Sequence, residues 1–308
     1  MLRTFFVRLS ENTSLRTFAE SSSLGRRLSN RFVAGTEIAD AVRATQAINR
    51  ASMSVSIDNL GENVTNPNEA RHSAQLYNQI LDAIAAQQLN ANVSLKLTHM
   101  GLDVDEKLAR EIVSGLVTKA ASMHPAGFVR VDMEGSPFTQ RTLDFVRELH
   151  RMPGNSNSVG TVIQSYLRRS ESDVETLLAE RIRIRLCKGA YKEPAEIAFP
   201  AKSDVDANYV KLMKILMKSG IYHGLATHDE NIILQAQAFA VREKLSRDSF
   251  EFQMLYGIRR DLQRKLAHDG WRVRIYIPFG SEWYPYFMRR LGERPANVLF
   301  IARNLLRA

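Results

Sequence analysis

The stretch FVRVD at residues 128–132 shows the pattern that decides the fold. It is an apolar and partly β-branched run that ends in a charged residue and precedes a helical stretch. The pattern recurs eight times, as SVSIDN (54–59), VSLKL (93–97), FVRVD (128–132), GTVIQ (160–164), RIRLCKG (183–189), GLATH (224–228), FEFQM (250–254) and VRIYIP (273–278). Strands that alternate with helices favour parallel pairing. Eight such units predict a closed α/β barrel of the (βα)8 type, a TIM barrel.

The predicted strands end in polar residues, and in a (βα)8 barrel the carboxyl ends of the strands form the catalytic face. The residues at or near these ends are Lys96, Asp132, Gln164, Arg185, Lys188, His228, Gln253 and Tyr276. This set is too polar for a hydrophobic core. The fold prediction therefore also predicts where the functional site lies.

The chain of 308 residues accommodates one barrel and a short additional segment. We predict an N-terminal helical segment, residues 1–50, packed on a barrel of residues 51–308 that ends in a C-terminal helix pair. The first 31 residues carry six arginines and many serines, which also resembles a mitochondrial transit peptide. An apolar stripe of Leu2, Phe5, Phe6 and Leu9 favours helices on the barrel instead.

Charge and composition narrow the class of protein. The net charge of +9 is spread over many helices, and no nucleic-acid-binding motif accompanies it, so nucleic acid is not a predicted partner. The charge favours attraction to an anionic cofactor or to a membrane surface. No apolar stretch approaches the roughly 20 residues that span a bilayer. The single cysteine, Cys187, excludes an internal disulfide and a cysteine-based metal cluster, as in a reducing, cytoplasmic compartment.

Several of the polar residues allow two interpretations. Lys96 is flanked by leucines, so it needs an anionic partner, and Asp132 on the neighbouring strand is the expected one. Arg185, Lys188 and Gly189 bring two cations and a glycine to one strand end, where a pyrophosphate could bind. A lysine at a barrel strand end also permits Schiff-base chemistry, so a non-flavin lyase or aldolase that uses Lys96 stays open.

Histidine and arginine residues supply the other candidates. His228 has no second histidine or cysteine at ligand spacing, so we predict a hydrogen-bonding histidine and no metal site. Arg289 and Arg290 could hold a carboxylate bidentately. They could equally lie on a solvated helix face, with Arg290 paired to Glu293.

Separate motifs along the chain resemble those of the proline dehydrogenase family, in the family's order and spacing over about residues 30–300. They are LGE (60–62), VSLKL (93–97), RVDME (130–134), QSY (164–166), RLCKGAY (185–191), ATH (226–228), EFQMLYG (251–257), RIYIPFG (274–280) and YFMRRL (286–291). Cys187 stands where members of the family often carry valine, and Tyr256 where histidine is common.

The resemblance implies a distorted (βα)8 barrel that holds FAD at the strand ends and oxidises L-proline to 1-pyrroline-5-carboxylate, by hydride transfer to the flavin. It implies the monofunctional bacterial type, a flavoprotein oxidoreductase of proline catabolism. Expected substrate and catalytic residues are Lys96, Asp132, Tyr276, Arg289 and Arg290, with Glu62 paired to the second arginine. Expected flavin contacts are Asp132, Met133, Gln164, Arg185, Cys187, Lys188, Gly189, Ala190, Tyr191, Thr227, His228 and Gln253.

The resemblance also implies partners. Reduced flavin in the family is reoxidised by membrane quinone, which fits a basic cytoplasmic protein that binds peripherally to the inner face of the membrane. The length leaves no room for an aldehyde dehydrogenase domain, so a separate pyrroline-5-carboxylate (glutamate semialdehyde) dehydrogenase is the expected partner enzyme.

Overall fold

A computed structural model describes residue 22, residues 31–61 and residues 63–293, and for residues 289–293 it describes the backbone alone. The helices expected before residue 31 and after Pro295 lie outside the described residues, as does Glu62. So the prediction of a separate N-terminal segment, residues 1–50, stays a prediction.

Eight parallel strands form a closed barrel in which each strand pairs with the next and the last pairs with the first. The strands are β1 (Ser54–Asn59), β2 (Ala91–Leu95), β3 (Val129–Val131), β4 (Val159–Gln164), β5 (Arg183–Cys187), β6 (His223–Ala226), β7 (Phe250–Leu255) and β8 (Val273–Phe279). The predicted (βα)8 barrel is confirmed. The predicted bounds of β1 are the same as these, and the bounds of the other strands agree within two residues at each end.

Helices connect the strands and surround them. The described helices are α1 (Ile38–Arg50), α2 (Pro67–Ala86), α3 (Glu106–Ser122), α4 (Ser136–Arg151), α5 (Ser170–Ala179), α6 (Lys202–Lys218), α7 (Glu230–Arg242), α8 (Arg260–His268) and α9 (Trp283–Glu293). Helix α1 precedes β1 and packs on β1 and β8. Helix α9 is the first of the two helices expected after the last strand.

Local sequence sets where these helices begin. Helix α2 begins at Pro67 because the side chain of Asn66 accepts hydrogen bonds from the backbone amides of Asn68 and Glu69. Helix α3 follows Asp105, whose side chain accepts from the amide of Leu108. In each case the capping side chain satisfies amides that have no partner inside the helix.

The hydrophobic core lies outside the strands, between the barrel and the helices. Successive strand residues point to opposite faces of a sheet. Val55 and Ile57 of β1, like Val93 and Leu95 of β2, are at most 1% exposed and belong to one cluster with helix residues such as Leu81. This outward set is almost entirely apolar, so burial against the helices holds the barrel together.

The alternate residues face the lumen, and there the barrel is polar. Arg185 of β5 donates hydrogen bonds of 3.1 Å to the hydroxyl oxygens of both Ser56 on β1 and Ser94 on β2. Since β5 is not a neighbour of β1 or β2, these bonds cross the lumen. Serines on β1 and β2 leave room for the long arginine side chain. The barrel interior therefore holds a hydrogen-bonded network where many barrels hold layers of branched apolar residues.

The described helices include none that is both long and apolar enough to cross a membrane.

Tyr77 of α2 joins the outer helix layer to the barrel. Its hydroxyl lies 2.7 Å from the carbonyl oxygen of Ser94 and 3.2 Å from Asp58 Oδ1, and it accepts a 3.2 Å hydrogen bond from the amide of Asn59. The side chain is fully buried. One hydroxyl thus ties the ends of β1 and β2 together.

Replacing Tyr77 by phenylalanine should lower the free energy of unfolding by about 1–3 kcal/mol, because buried polar groups on β1 and β2 lose a partner. Urea denaturation measures this. The matched control is Tyr209→Phe, which removes one buried, 3.3 Å bond to the carbonyl oxygen of Leu186 and should cost less. Equal losses in the two variants would contradict the role given to Tyr77.

Candidate active site at the carboxyl ends of the strands

Arg185 is the centre of the polar network below the carboxyl ends of the strands. Its Nε donates to Gln253 Oε1 at 2.5 Å and its Nη1 to Asp132 Oδ1 at 2.7 Å. With the two serine hydroxyls, its partners come from β1, β2 and β7 and from the residue after β3. The guanidinium is buried, so these contacts replace the water that a charged group loses on burial.

Asp132 receives hydrogen bonds from three directions. Besides Arg185, Ser94 Oγ donates to its Oδ1 at 2.6 Å and Tyr276 Oη donates to its Oδ2 at 3.0 Å. The Arg185 guanidinium also lies over the Tyr276 ring, at 5.2 Å from its centroid. Burial, followed by the negative charge of Asp132, raises the pKa of Tyr276 well above its usual value, so its hydroxyl remains a donor.

Lys96 pairs with Asp58 of β1, whose Oδ2 lies 3.9 Å from its Nζ. The expected Lys96–Asp132 pair is therefore wrong. Asp132 is taken by Arg185, which reaches it through the lumen, whereas Asp58 lies opposite Ser94 in the β1–β2 ladder, two residues before Lys96. Burial raises the pKa of Asp58 to about 6, and the charge of Lys96 opposes this rise only in part.

Gln164, at the end of β4, presents a buried acceptor. Its Nε2 donates to the carbonyl oxygen of Met133 at 3.2 Å. Its Oε1 is buried and makes no hydrogen bond within the part of the chain that the structure describes. An unpaired buried acceptor costs free energy, so a ligand that donates a hydrogen bond here would be stabilised.

The turn after β5 depends on Gly189. Its φ is +109°, and a Cβ there would lie 2.3 Å from the ring of Tyr166, so only glycine fits. Ala190 and the half-exposed Tyr191 continue the chain away from this turn. Burial raises the pKa of the Cys187 thiol to about 12, so it is a neutral thiol.

Lys188 and Arg185 do not converge on one group, contrary to the expected double-cation site. Lys188 Nζ forms ion pairs with Asp206 of α6 at 2.6 Å and with Asp229, which precedes α7, at 2.8 Å. Arg185 points into the lumen. The two side chains point in different directions because Lys188 comes three positions after Arg185. Residues an odd number of positions apart in an extended chain point to opposite faces.

The ends of β6 and β7 are joined by His228, whose Nε2 accepts a 2.9 Å hydrogen bond from the backbone amide of Leu255. The predicted hydrogen-bonding histidine is confirmed. Thr227 Oγ1 accepts from the amide of Asp229 at 3.0 Å. The side chain of Gln253 lies deeper, between Arg185 and Glu251, so its expected flavin contact stays a prediction.

Helix α9 brings positions 289 and 290 to the same end of the barrel. Its Trp283 and Phe287 pack in one buried cluster with Leu60, which follows β1, and Ile258, which follows β7. The side chains of Arg289 and Arg290 lie outside the described part of the chain. Their expected contact with a carboxylate, like the role of Glu62, stays a prediction.

Sequence reasoning missed the lumen partners. They are Ser56, Asp58, Ser94, Glu251 and Arg274. The available signal was the alternation of polar residues along single strands, such as Ser54, Ser56 and Asp58 on β1. The residues at the strand ends alone do not reveal that the polar face continues through the barrel.

A closed parallel barrel with buried ionisable side chains near the carboxyl ends of its strands is the arrangement of a βα-barrel enzyme. The family model for proline dehydrogenase matches residues 41–303. The chain belongs to the proline dehydrogenase family.

Individual relatives agree. Proline dehydrogenase 1 of Bacillus subtilis (strain 168) is 40% identical over 308 residues, which cover 100% of both chains. A proline dehydrogenase of Deinococcus radiodurans is 41% identical over 283 residues, or 91% of this chain and 90% of the relative. The solved structure of proline utilization A (PutA) from Bdellovibrio bacteriovorus, inactivated by N-propargylglycine, superposes with a TM-score of 0.80 at 25% identity, covering 87% of this chain and 32% of that one. The resemblance seen in the sequence motifs is confirmed, and the lyase alternative is not favoured.

The raised pKa of Asp58 makes stability depend on pH. The folded state binds this proton more tightly than the unfolded state, so Asp58 lowers stability as the pH rises from its usual pKa through about 6. Asp58→Asn removes this contribution. Relative to the variant, the wild-type protein should lose about 1–2 kcal/mol of unfolding free energy between pH 5 and pH 8. Urea denaturation across that range measures the difference, and parallel pH profiles would contradict it.

Proposed function

We propose that this chain oxidises L-proline to 1-pyrroline-5-carboxylate with FAD as its cofactor. Oxidation of proline in proline catabolism follows from membership of the proline dehydrogenase family, and the full-length match to the Bacillus protein is the observation that carries it. The proposal extends to the cofactor, the substrate contacts and the partners.

The proposed flavin site lies at the ends of β4, β5 and β6. The buried, unpaired Oε1 of Gln164 supports it, because a flavin ring carries an N–H donor that could satisfy this acceptor. Proposed further contacts come from Asp132, Met133, Arg185, Thr227 and His228 and from the turn formed by Cys187, Lys188, Gly189, Ala190 and Tyr191. When bound, FAD supplies the hydride acceptor for the oxidation.

Substrate binding is assigned to the two arginines of α9. Among the described charges at this end of the barrel, Lys96 faces Asp58 and Arg185 faces Asp132, so these pairs balance each other. Arg289 and Arg290 then add positive charge that favours a carboxylate, which a guanidinium binds bidentately. We propose that Glu62 pairs with Arg290.

Tyr276 and Lys96 complete the proposed substrate pocket. Tyr276 is held in one orientation by its hydrogen bond to Asp132 and by the Arg185 guanidinium over its ring. A fixed ring can exclude a substituent on the substrate, so we propose that it selects proline over hydroxyproline. Fixed contacts of this kind keep a substrate in its reactive orientation.

The proposed partners follow from the reaction. Reoxidation by a membrane quinone requires contact with the membrane surface, and the net charge of +9 would favour binding to anionic lipid on the cytoplasmic face. For the product we propose a separate pyrroline-5-carboxylate dehydrogenase.

The test is steady-state reduction of an artificial electron-accepting dye by purified protein whose absorbance spectrum has first been recorded. The proposal expects a yellow protein that reduces the dye with L-proline and more slowly with hydroxyproline. A colourless protein that borohydride links covalently to a carbonyl substrate through Lys96 would contradict it and favour the lyase.

Arg289→Met and Arg290→Met should each raise the KM for proline. The loss of a charge-assisted carboxylate contact costs about 2–4 kcal/mol, or about 30- to 1,000-fold. Flavin content should stay near that of the wild type. Arg264→Met on the exposed face of α8 is the control and should leave KM unchanged. Loss of flavin at unchanged KM would assign the pair to the cofactor or to the fold.

A further inference from the structure

A cavity lies at the opposite end of the barrel from the proposed active site. It has a volume of about 350 Å³ and opens among the amino ends of β2, β3, β5, β7 and β8. Its polar lining includes Asn92, Arg130, Arg183, Glu251 and Arg274, and its apolar lining includes Leu89, Met123 and Phe128. Nothing in the proposed proline reaction uses this end of the barrel.

The cavity carries an excess of positive charge. Three arginines line it, with one carboxylate. That carboxylate, Glu251, is already occupied: Arg274 Nε donates to its Oε1 at 2.7 Å and Tyr222 Oη to its Oε2 at 2.9 Å. Within the described ranges no carboxylate forms an ion pair with Arg130 or with Arg183. Two guanidinium groups therefore line the cavity without a direct ion pair, and Glu251, which is already paired with Arg274, is the one carboxylate among the lining residues.

Arg130 is the more deeply buried of the two, with 4% of its surface exposed. Its Nη1 donates to the backbone carbonyl oxygens of Thr161 at 2.8 Å and Arg183 at 2.7 Å. Its Nε is buried and makes no hydrogen bond to any described residue. Burial, and then the positive charge of Arg185, holds the pKa of Arg130 well below its usual range. The charges of Glu251 and Asp132 oppose this lowering only in part, and an anion bound in the cavity would oppose it further.

The two guanidinium groups are also preorganised for binding. A Cβ at Gly160 would lie 2.8 Å from Arg130 Nη1, so the glycine leaves room for the guanidinium. Both guanidinium groups lie over the ring of Phe128, with Arg130 Cζ at 4.7 Å and Arg183 Cζ at 5.3 Å from its centroid. Stacking fixes their planes before any ligand arrives, which lowers the entropy lost on binding.

We propose that this cavity binds a small anion through its oxygen atoms, with Arg130 and Arg183 as the donors. Carboxylates and phosphates share the required chemistry, since both accept hydrogen bonds from guanidinium groups. The apolar lining around Leu89, Met123 and Phe128 would accommodate a short hydrocarbon portion of a carboxylate. The site is separate from the proposed proline site, because it lies at the amino ends of the strands.

Isothermal titration calorimetry of the purified, flavin-loaded protein tests the proposal, with inorganic phosphate in one arm and hexanoate in the other. Sodium chloride keeps the ionic strength constant. The expected result is binding of at least one of them to the wild-type protein. Binding of phosphate alone indicates a phosphate site, and tighter binding of hexanoate indicates a carboxylate with an apolar portion. No binding of either anion would overturn the proposal.

Arg183→Gln locates the bound anion. The guanidinium of Arg183 donates no hydrogen bond to the residues described, so the fold should tolerate the change, and Arg183→Lys provides a variant that keeps the charge. Arg183→Gln should weaken binding by on the order of tenfold or more, and Arg183→Lys should weaken it less. The control is Arg242→Gln, whose arginine also lies over a phenylalanine ring, at 4.9 Å from the centroid of Phe239, but on exposed α7 surface. Affinity unchanged in both Arg183 variants would place the anion elsewhere and overturn the proposal.

Discussion

This barrel depends on the hydrogen bonds of one guanidinium group, that of Arg185, inside the closed lumen. A charged group there loses its water and must find other partners. It finds them on several strands: Ser56, Ser94, Asp132 and Gln253 all accept its hydrogen bonds. Because these partners lie on strands that are not neighbours, Arg185 fixes the relative positions of strands that the sheet hydrogen bonds connect only indirectly.

This placement gives the barrel a polar axis. From the amino end upward, Arg274, Glu251, Gln253, Arg185 and Asp132 form a continuous hydrogen-bonded line that ends at the Tyr276 hydroxyl. Small residues make room for it, since a Cβ at Gly224 would lie 2.2 Å from Gln253 Nε2. The hydrophobic effect then acts outside the strands, where the helices cover them. Both ends of the lumen are left with ionisable side chains, and a proposed binding site lies at each end.

Most of the barrel could be predicted from the sequence, because the apolar face of each strand and the helix that follows it are local patterns. The polar residues at the strand ends, such as Gln164 and His228, were found in the same way. The partners across the lumen could not be predicted. Asp58 on β1 and Asp132 after β3 both lie on strands next to the strand that precedes Lys96. Arg185 extends through the lumen and pairs with Asp132, and Lys96 pairs with Asp58. That choice depends on the closed three-dimensional arrangement and not on the sequence near Lys96.

The measurement that tests this account most directly is a double-mutant cycle of Arg185→Met and Asp132→Asn, followed by urea unfolding. If the pair holds the lumen together, the coupling free energy should be about 2 kcal/mol or more, because each single change leaves a buried partner uncompensated. The exposed pair of Arg272 and Asp248, also at 2.7 Å, is the comparison and should couple by less than about 1 kcal/mol. Additive effects of the Arg185 and Asp132 changes, with no more coupling than in the exposed pair, would contradict the account.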